Sequence, residues 1–531
     1  MAWISPVDLL DDDIDPNSSS IKIKTKGSVK LKTFAIAVAS MVLIMSLSAS
    51  VSASGKKVIQ GGWYPWKPYQ YLEKNSNDRL QLTGLDVQLL KKVFEEELGL
   101  TLKLPQVDWK VHQQDISEGM RDVAGGAFIT PDRERYAYFS APYRNEDIVL
   151  ISRRSESSAI AMLRPDEFKQ SFPSSKLRIG VVSGYYYGDA IDSFLKNPSN
   201  QDRWTSVKTD IENLQNLANG KVDLVAIDRL VGSTLIWEES LSRDLIAGKE
   251  HIFSGPIVAL FSRRTTSPAL VAAFDQAMQK LKDDGRYNQI VRDYLFPSLL
   301  AMTAGQPWFF ALETIGTAAF AFSGILLARR DRFSLFGALV LASLPAFGGG
   351  IIRDLIANRD QPAVLQSTHN LIIVIALVLI SHFLARLTKL RGLPRMLEKL
   401  HFGEKTVQVL DALGLSAFTV VGVIVAVEEK CNPLILWGPI FSAMTGAGGA
   451  ILRDVIRADA SHPTLRHDFY AELSFFWGLM LSIFITLYAN SNNLHPLPMN
   501  LAVLFTTLGC LLSRLIVMQR GIKSSTFMSK T

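Results

Sequence analysis

The chain has 531 residues, 48% of them hydrophobic, with 56 Lys and Arg against 50 Asp and Glu. That length exceeds one domain, and the positive mean hydropathy is too high for a purely soluble protein. The net charge of +6 does not point to nucleic acid, because many basic residues flank apolar blocks, as membrane topology requires.

Residues 1–53 read as an acidic, Ser-rich start followed by an export segment. Lys22, Lys24, Lys26, Lys30 and Lys32 precede an apolar run from Thr33 to about Ala49, and Val51-Ser52-Ala53 supplies a small-x-small exit. The segment is either a signal peptide or an uncleaved signal anchor. Both place the next domain outside the cytoplasm.

From 56 to 297 the composition is that of a soluble domain. Strand-like runs (Lys57–Gln60, Leu102–Leu104, Arg178–Val182, Val222–Ile227) alternate with helical patterns at Leu85–Glu97 and Ile211–Asn219, which predicts an α/β domain with a parallel sheet. No nucleophile–base pair, phosphate loop or catalytic cysteine stands out, so an enzyme is not expected. Cys431 and Cys510 are too distant for a disulfide framework, and the histidines, including His462 and His467, lack metal spacing. No metal or cofactor is expected.

A series of landmarks runs through this domain: Trp63-Tyr64-Pro65-Trp66, Gly84-Leu85-Asp86-Val87, Thr130-Pro131-Asp132-Arg133, Phe139-Ser140-Ala141-Pro142-Tyr143, Val181-Val182-Ser183-Gly184, and Asn219 to Asp228. In this order they resemble the periplasmic polar-amino-acid-binding proteins, the bacterial solute-binding protein family 3. The resemblance implies a two-lobed clam-shell. One lobe would span about 56–148 plus the tail from 256, the other about 152–252, with crossing strands near Ile148–Ser152 and Pro256–Phe261 as the hinge. An amino acid needs a bidentate donor for its carboxylate and a carboxylate for its ammonium. By motif position these would be Arg133 and Asp228, one from each lobe. Trp63 and Trp109 match positions where rings flank the ligand, and Ser183 completes the expected ligand-binding set. Plainer roles stand beside these: an ion pair of Arg133 with Asp132 or Glu134, a strand-end cap for Asp228, and core packing for the tryptophans. Phe128 replaces a residue that is often a hydroxyl in relatives, which implies a small or atypical ligand. Tyr185, Tyr186 and Tyr187 either contact ligand or form a solvated loop.

After a short connector, Phe296–Gly305, apolar segments follow near Pro307–Ala328, Leu335–Ile356, Leu371–Leu387, Val407–Val427, Leu434–Ile451, Phe469–Leu487 and Leu497–Met518. Each is long enough to cross a bilayer as a helix. Arg329, Arg330 and Arg332, the Arg386–Lys405 loop, and Arg514, Arg520 and Lys523 lie on one side, which is therefore cytoplasmic. Phe347 to Asp354, containing Gly348, Gly349, Gly350, Arg353 and Asp354, returns one hundred positions later as Ala447 to Asp454, with Gly448, Gly449, Arg453 and Asp454. A charge at mid-bilayer costs about 2.5–3.5 kcal/mol on insertion scales, so two such pairs imply a duplicated unit. Gly316 to Phe320 and Gly324 likewise match Gly414 to Phe418 and Gly422. Three spans per unit force opposite orientations: an inverted repeat at 307–400 and 401–490, then a seventh span and tail at 495–531.

This pattern resembles the prokaryotic relatives of the trimeric intracellular cation channels, also described as bacterial glycine transporters. It implies a homotrimer whose protomers each carry a path lined by kinked second and fifth helices. Ala450, where the first copy has Gly350, could stiffen its half. The glycines either expose carbonyls to a permeant or allow close helix contact; the charged pairs either line the path or anchor helix ends at the interface.

The expected fold is multidomain: an α/β two-lobed clam-shell followed by an all-α seven-helix transmembrane domain built from an inverted three-helix repeat. The expected function is membrane transport of a small amino acid, glycine being the candidate, with a fused extracytoplasmic binding domain. The alternative is an amino-acid-modulated monovalent cation channel. The expected location is the bacterial inner membrane, with amino acid, lipid bilayer and further copies of the chain as partners. A sensor fits less well, since only about a dozen residues follow the last span.

Overall fold

Two ten-residue strands, Arg144–Arg153 and Phe253–Ser262, pass from one lobe of the binding domain to the other. They run antiparallel, with Arg144 opposite Ile257 and Ile148 opposite Phe253. Beyond this shared stretch each joins a different lobe. The first pairs with Leu224–Asp228, placing Asp228 opposite Ile148; the second pairs with Val123–Phe128, placing Phe128 opposite Ile257. In this computed structural model, residues 57–74, 79–239, 241, 244–359, 361–366, 368–390, 404–457, 469–491 and 494–524 are described. The export segment, His462 and His467, and much of the Arg386–Lys405 loop lie outside them.

The expected clam-shell is present, but its sheet is mixed rather than parallel. Leu224–Asp228, Ile179–Val182 and Trp204–Val207 are mutually parallel, as are Val58–Gln60 and Thr101–Lys103, whereas both crossing strands are antiparallel to their neighbours. Helix–strand alternation in sequence does not reveal a strand that crosses between lobes, and this is what the composition-based expectation of a parallel sheet misses. The predicted helix at Leu85–Glu97 forms as α-helix to Lys91 and continues with π geometry.

The expected short connector is part of a helix. Arg286–Ala304 runs from the binding domain, and only Gly305 and Gln306 separate it from the first span. Its face bearing Leu295, Phe296, Leu299 and Leu300 is buried in one apolar cluster with Val420, Val423 and Ile424 of the fourth span and Met499 and Val503 of the seventh. Phe296 meets Tyr488 edge to face at 6.0 Å. Glu73 pairs with Lys430 at 2.9 Å, on the loop between spans four and five. The two domains are thus packed together, not merely strung.

Seven helices among the described residues have the length and hydropathy to cross a membrane: Pro307–Arg330, Leu335–Ile356, Thr368–Arg386, Glu404–Glu428, Leu434–Ile456, Ala471–Tyr488 and Pro496–Arg520, spans 1 to 7 below. Spans 1–3 and 4–6 are inverted copies. Span 1 crosses span 4, and span 2 crosses span 5, each pair meeting at glycines. The Gly324 position touches the span 2 backbone at Leu341, as Gly422 touches the span 5 backbone at Phe441. Ion pairs repeat the symmetry. Arg359, after span 2, donates to Glu429 at 2.7 Å; Arg457, after span 5, donates to Asp331 at 2.7 Å. In both pairs the partners sit 98 positions from their counterparts.

Of the two spans expected to be kinked, span 2 alone contains a π-turn, although span 5 also carries a proline, Pro439, inside its helix. Span 2 widens into a π-turn over Leu344–Gly348, whereas span 5 is a single α-helix from Leu434 to Ile456. Pro345 is the cause, because its ring lacks an N–H and displaces the Leu341 carbonyl. The equivalent residue in span 5 is Thr445, whose hydroxyl donates to the Phe441 carbonyl at 2.6 Å. Ala450 has no stiffening to explain, since the matching Gly350 position is open apart from the Arg353 tip at 3.7 Å.

Candidate functional site

Alternation along the first crossing strand sends Arg144, Glu146 and Ile148 to one face, where they floor the space between the lobes. Arg144 is buried and holds Asp86 bidentately, Nε to Oδ1 and Nη2 to Oδ2, both at 2.9 Å, while its Nη1 reaches Glu146 Oε1 at 2.5 Å. Its guanidinium lies 3.7 Å from the centroid of the Tyr69 ring. With Asp86 already matched by Arg144, burial raises the Glu146 carboxyl well above the usual carboxylate range.

The cleft is lined by Tyr64, Trp66, Trp109, Phe128, Arg133, Glu146, Tyr185, Tyr186, Tyr187 and Asp228, and it encloses about 20 Å³. That is room for about one water. Tyr185 of lobe two closes edge-on against Tyr64 and Trp66 of lobe one, with centroids 6.1 and 6.0 Å apart. Phe128 packs against Tyr186 and Phe253 at 5.9 and 5.2 Å.

Arg133 is buried and makes no ion pair with Asp132 or Glu134. Its Nη1 donates to the Phe128 carbonyl at 2.7 Å, its Nε to Gln113 Oε1 at 2.9 Å, and its Nη2 to the Gly184 carbonyl at 3.2 Å. Trp109 Nε1 and Gln113 Nε2 also donate to that carbonyl, at 3.1 and 3.0 Å. Three donors from lobe one therefore converge on a single oxygen of lobe two. A neutral carbonyl is a weaker partner for such a set than an anionic oxygen.

Asp228 does act as a cap. Its Oδ1 accepts from the Leu230 and Val231 amides at 3.0 Å and from the Tyr69 hydroxyl at 3.2 Å. It also lines the cleft, and burial pushes its carboxyl up to about 6. The cap and the cleft-facing position are thus compatible.

Two expected residues fall elsewhere. Trp63 is buried but outside the cleft lining; Trp66 and Tyr64 take the place foreseen for it. The backbone explains this, since Trp63 is bridged to the segment at Gln106 and the chain turns immediately after it. Ser183 also lies outside the lining, and the neighbouring Gly184 carbonyl makes the cross-lobe contacts instead. Of the tyrosine trio, all three line the cleft, so the solvated-loop alternative does not hold. The residues that sequence reasoning missed are Arg144, Glu146, Tyr69, Trp66 and Gln113. The signal available for the first two was Arg144-Asn145-Glu146-Asp147, a charged run entering an otherwise apolar strand.

In the membrane domain, Gly348 and Gly349 of span 2 meet Gly448 and Gly449 of span 5. A methyl on Gly448 would lie 3.4 Å from the Gly349 Cα, and one on Gly349 would collide with the Met444 carbonyl. These glycines thus permit backbone contact, while Gly350 faces away from the crossing. Both arginines point into the bundle and are 2–3% exposed, so they do not anchor the interface. Each reaches across to the other repeat. Arg353 binds Asp354 at 2.6 Å and Thr445 at 3.2 Å; Arg453 binds Asp411 at 3.0 and 3.1 Å, Ser323 at 2.9 Å and Asp454 at 3.2 Å.

Comparison with known proteins assigns the two halves. Residues 59–297 match the family model for bacterial extracellular solute-binding proteins, family 3, and residues 310–386 and 408–486 match the glycine transporter family model. The inner membrane protein YadS of Escherichia coli (strain K12), a UPF0126 protein, is 31% identical over 216 residues, covering 94% of that protein and 41% of this chain. The chain belongs to the UPF0126 membrane-protein family. Ahead of its UPF0126 domain stands a family 3 solute-binding domain, 24% identical over 261 residues to the ABC transporter arginine-binding protein 1 of E. coli (strain K12), with 93% of that protein and 46% of this chain covered. The solute-binding domain also resembles the amino acid ABC transporter substrate-binding protein AbpA of Streptococcus pneumoniae Canada MDR_19A bound to L-arginine (TM-score 0.38, 21% identity, 48% of this chain and 98% of that one). Both families are binding or membrane transport proteins rather than enzymes. The UPF0126 domain lies in the inner membrane, with its solute-binding domain on the outer side.

Proposed function

We propose that this protein moves a small zwitterionic amino acid, glycine first among them, across the inner membrane after capturing it in the fused binding domain. Convergence of the Arg133, Trp109 and Gln113 donors on one oxygen carries the reading. A ligand carboxylate takes the place of the Gly184 carbonyl, and Asp228 receives the ammonium. Arg144 is matched by Asp86 and burial favours protonated Glu146, so Arg133 and Asp228 leave a site of balanced charge, suited to a ligand without a charged side chain. The narrow cleft, filled by Phe128, Trp66, Tyr185 and Tyr186, supports a small ligand. In the UPF0126 domain, the crossing at Gly348, Gly349, Gly448 and Gly449, bracketed by the Arg353–Asp354 and Arg453–Asp454 pairs, is the proposed path, and a homotrimer is the proposed assembly.

The test is uptake of radiolabelled glycine, alanine and arginine into proteoliposomes holding the full chain. Glycine-dependent uptake lost in Arg133→Ala supports the proposal. Absence of uptake of any amino acid ends it, and preferential uptake of arginine replaces the proposed ligand class. The helix Arg286–Ala304, packed from the binding domain onto spans 4 and 7, favours a second reading, in which ligand-driven lobe motion modulates a monovalent-cation channel. Planar-bilayer currents that respond to glycine without glycine flux would select it.

A further inference from the structure

Behind the hinge lies a second cavity of about 210 Å³, roughly ten times the space in the cleft. It is closed on one side by the binding domain, through Tyr69, Asp147, Asp228 and Arg229, and on the other by Ser491 and Leu494 of the loop joining spans 6 and 7. Asp228 lines both this cavity and the cleft. The cavity is therefore the space that lies between the ligand cleft and the outer mouth of the membrane domain.

Its chemistry is unusual for a packing void. Arg229 is 5% exposed, yet its Nε and Nη2 donate no hydrogen bond to any described residue. Only Nη1 is occupied, by the Lys249 carbonyl at 3.0 Å and the Gly248 carbonyl at 3.4 Å. Asp147 Oδ2 stands 3.6 Å from Nε, an ion pair longer than a hydrogen bond, which leaves Nη2 without an acceptor among the described residues. A buried guanidinium with idle donors is costly unless something binds them. Arg144, which also lines the cavity, has its donors committed to Asp86 and Glu146. Besides Arg144, the cavity thus presents two cations, Arg229 and Lys282, the latter held 5.4 Å from the Tyr287 ring centroid, together with two carboxylates, Asp147 and Asp228.

We infer that this cavity is a second amino-acid site, a transfer station in which the Arg229 guanidinium takes the ligand carboxylate and Asp147 with Asp228 take its ammonium. The inference rests on the function proposed above and adds where the solute pauses between cleft and membrane. Asp228 borders both sites, and Asp147, which lines only the second, holds the ammonium there when both sites are filled. Placement between the hinge and the span 6–7 loop means that the site exists only in the fused chain.

The experiment is equilibrium dialysis of [¹⁴C]glycine against the full chain in lipid nanodiscs, paired with proteoliposome uptake. Wild type should saturate at two glycines per protomer. Arg229→Gln, and separately Leu494→Trp, which fills the cavity from the membrane side without touching a charge, should each saturate at one and lower uptake by tenfold or more. Arg133→Ala should also lose one equivalent, a different one, and keep the other. Saturation of wild type at one glycine overturns the second site and leaves the cleft reading standing. Two glycines in Leu494→Trp with wild-type uptake also overturns it. No bound glycine at all removes both the site and the function on which it rests.

Discussion

Phe320 and Phe418 lie face to face at the centre of the membrane domain, ring centroids 5.6 Å apart and planes inclined by 4°. They are the same residue of the two repeats, 98 positions apart, so the rings stack across the pseudo-two-fold axis. Around them a methyl at Gly414 would strike the Phe320 ring, and one at Gly316 would approach the Ala417 Cβ at 2.7 Å. Spans 1 and 4 therefore interlock by size matching, glycine against phenylalanine.

That interlock predicts coupling. Phe320→Ala or Phe418→Ala should each destabilise the membrane domain by about 3–5 kcal/mol. The double variant should lose less than the sum, by roughly 0.5–1.5 kcal/mol, the usual worth of an aromatic pair. Unfolding in mixed micelles, followed as a double-mutant cycle, measures it. Strict additivity would show that the stack contributes nothing beyond burial.

The glycines of the repeated motif should differ sharply. Gly349→Ala drives a methyl into the Met444 and Thr445 carbonyls, which are backbone and cannot move aside, so assembly or uptake should fall severalfold. Gly350→Ala meets only the Arg353 tip at 3.7 Å and should behave as wild type. It also restores the residue found at Ala450. Expression level, thermal midpoint and glycine uptake of the two variants decide the matter, and equal damage from both would contradict the crossing geometry.

Ligand affinity should depend on pH through Asp228. Its carboxyl is raised to about 6, chiefly by burial, and only the ionised form attracts an ammonium. Affinity should be constant above pH 7 and weaken by about tenfold per unit well below pH 6. Asp228→Asn should bind weakly and without that slope. Calorimetric titration between pH 5 and 8 tests this, and a flat wild-type profile would remove Asp228 as the ammonium acceptor.

Asp210 offers a stability probe in lobe two. It is 2% exposed, neither oxygen has a hydrogen-bond partner among the described residues, and burial raises its carboxyl from 3.8 to about 7. The folded state then holds a proton that the unfolded chain has released. The resulting stability is fully present below pH 4 and is lost as pH rises through about 7. Asp210→Asn removes the charge, so it should raise the thermal midpoint of the binding domain by several degrees at pH 8, by less at pH 5, and hardly at all below pH 4, a shift of a few kcal/mol at most. A gain of equal size at pH 8 and below pH 4 would assign the effect to packing instead.

Much of this architecture is legible in the residues alone. Apolar runs of bilayer length, arginine-rich inner loops and a motif repeated one hundred positions apart determine seven spans and their inversion, because the bilayer constrains length, charge and orientation locally. The order of short landmarks likewise determines a two-lobed binding fold, and Arg133 and Asp228 were identifiable as members of its motifs. Tertiary structure alone decided what the cleft contains. The Gly184 carbonyl that faces Arg133 is a backbone group with no residue-type signature. Arg144, Asp86 and Glu146 form one buried charge cluster only because the crossing strand lays its alternate face against a helix 58 residues away. Trp63 and Trp66 are three residues apart, and which of them enters the cleft depends on the path the backbone takes between them. Span 2 has a π-turn where span 5 stays α-helical, following proline against threonine at one matched position, while the backbone contact of Leu341 with Gly324 and of Phe441 with Gly422 is kept in both copies. Spacing along a chain specifies which elements form. Which donors they leave idle, as at Arg229, depends on distant segments that happen to pack around them.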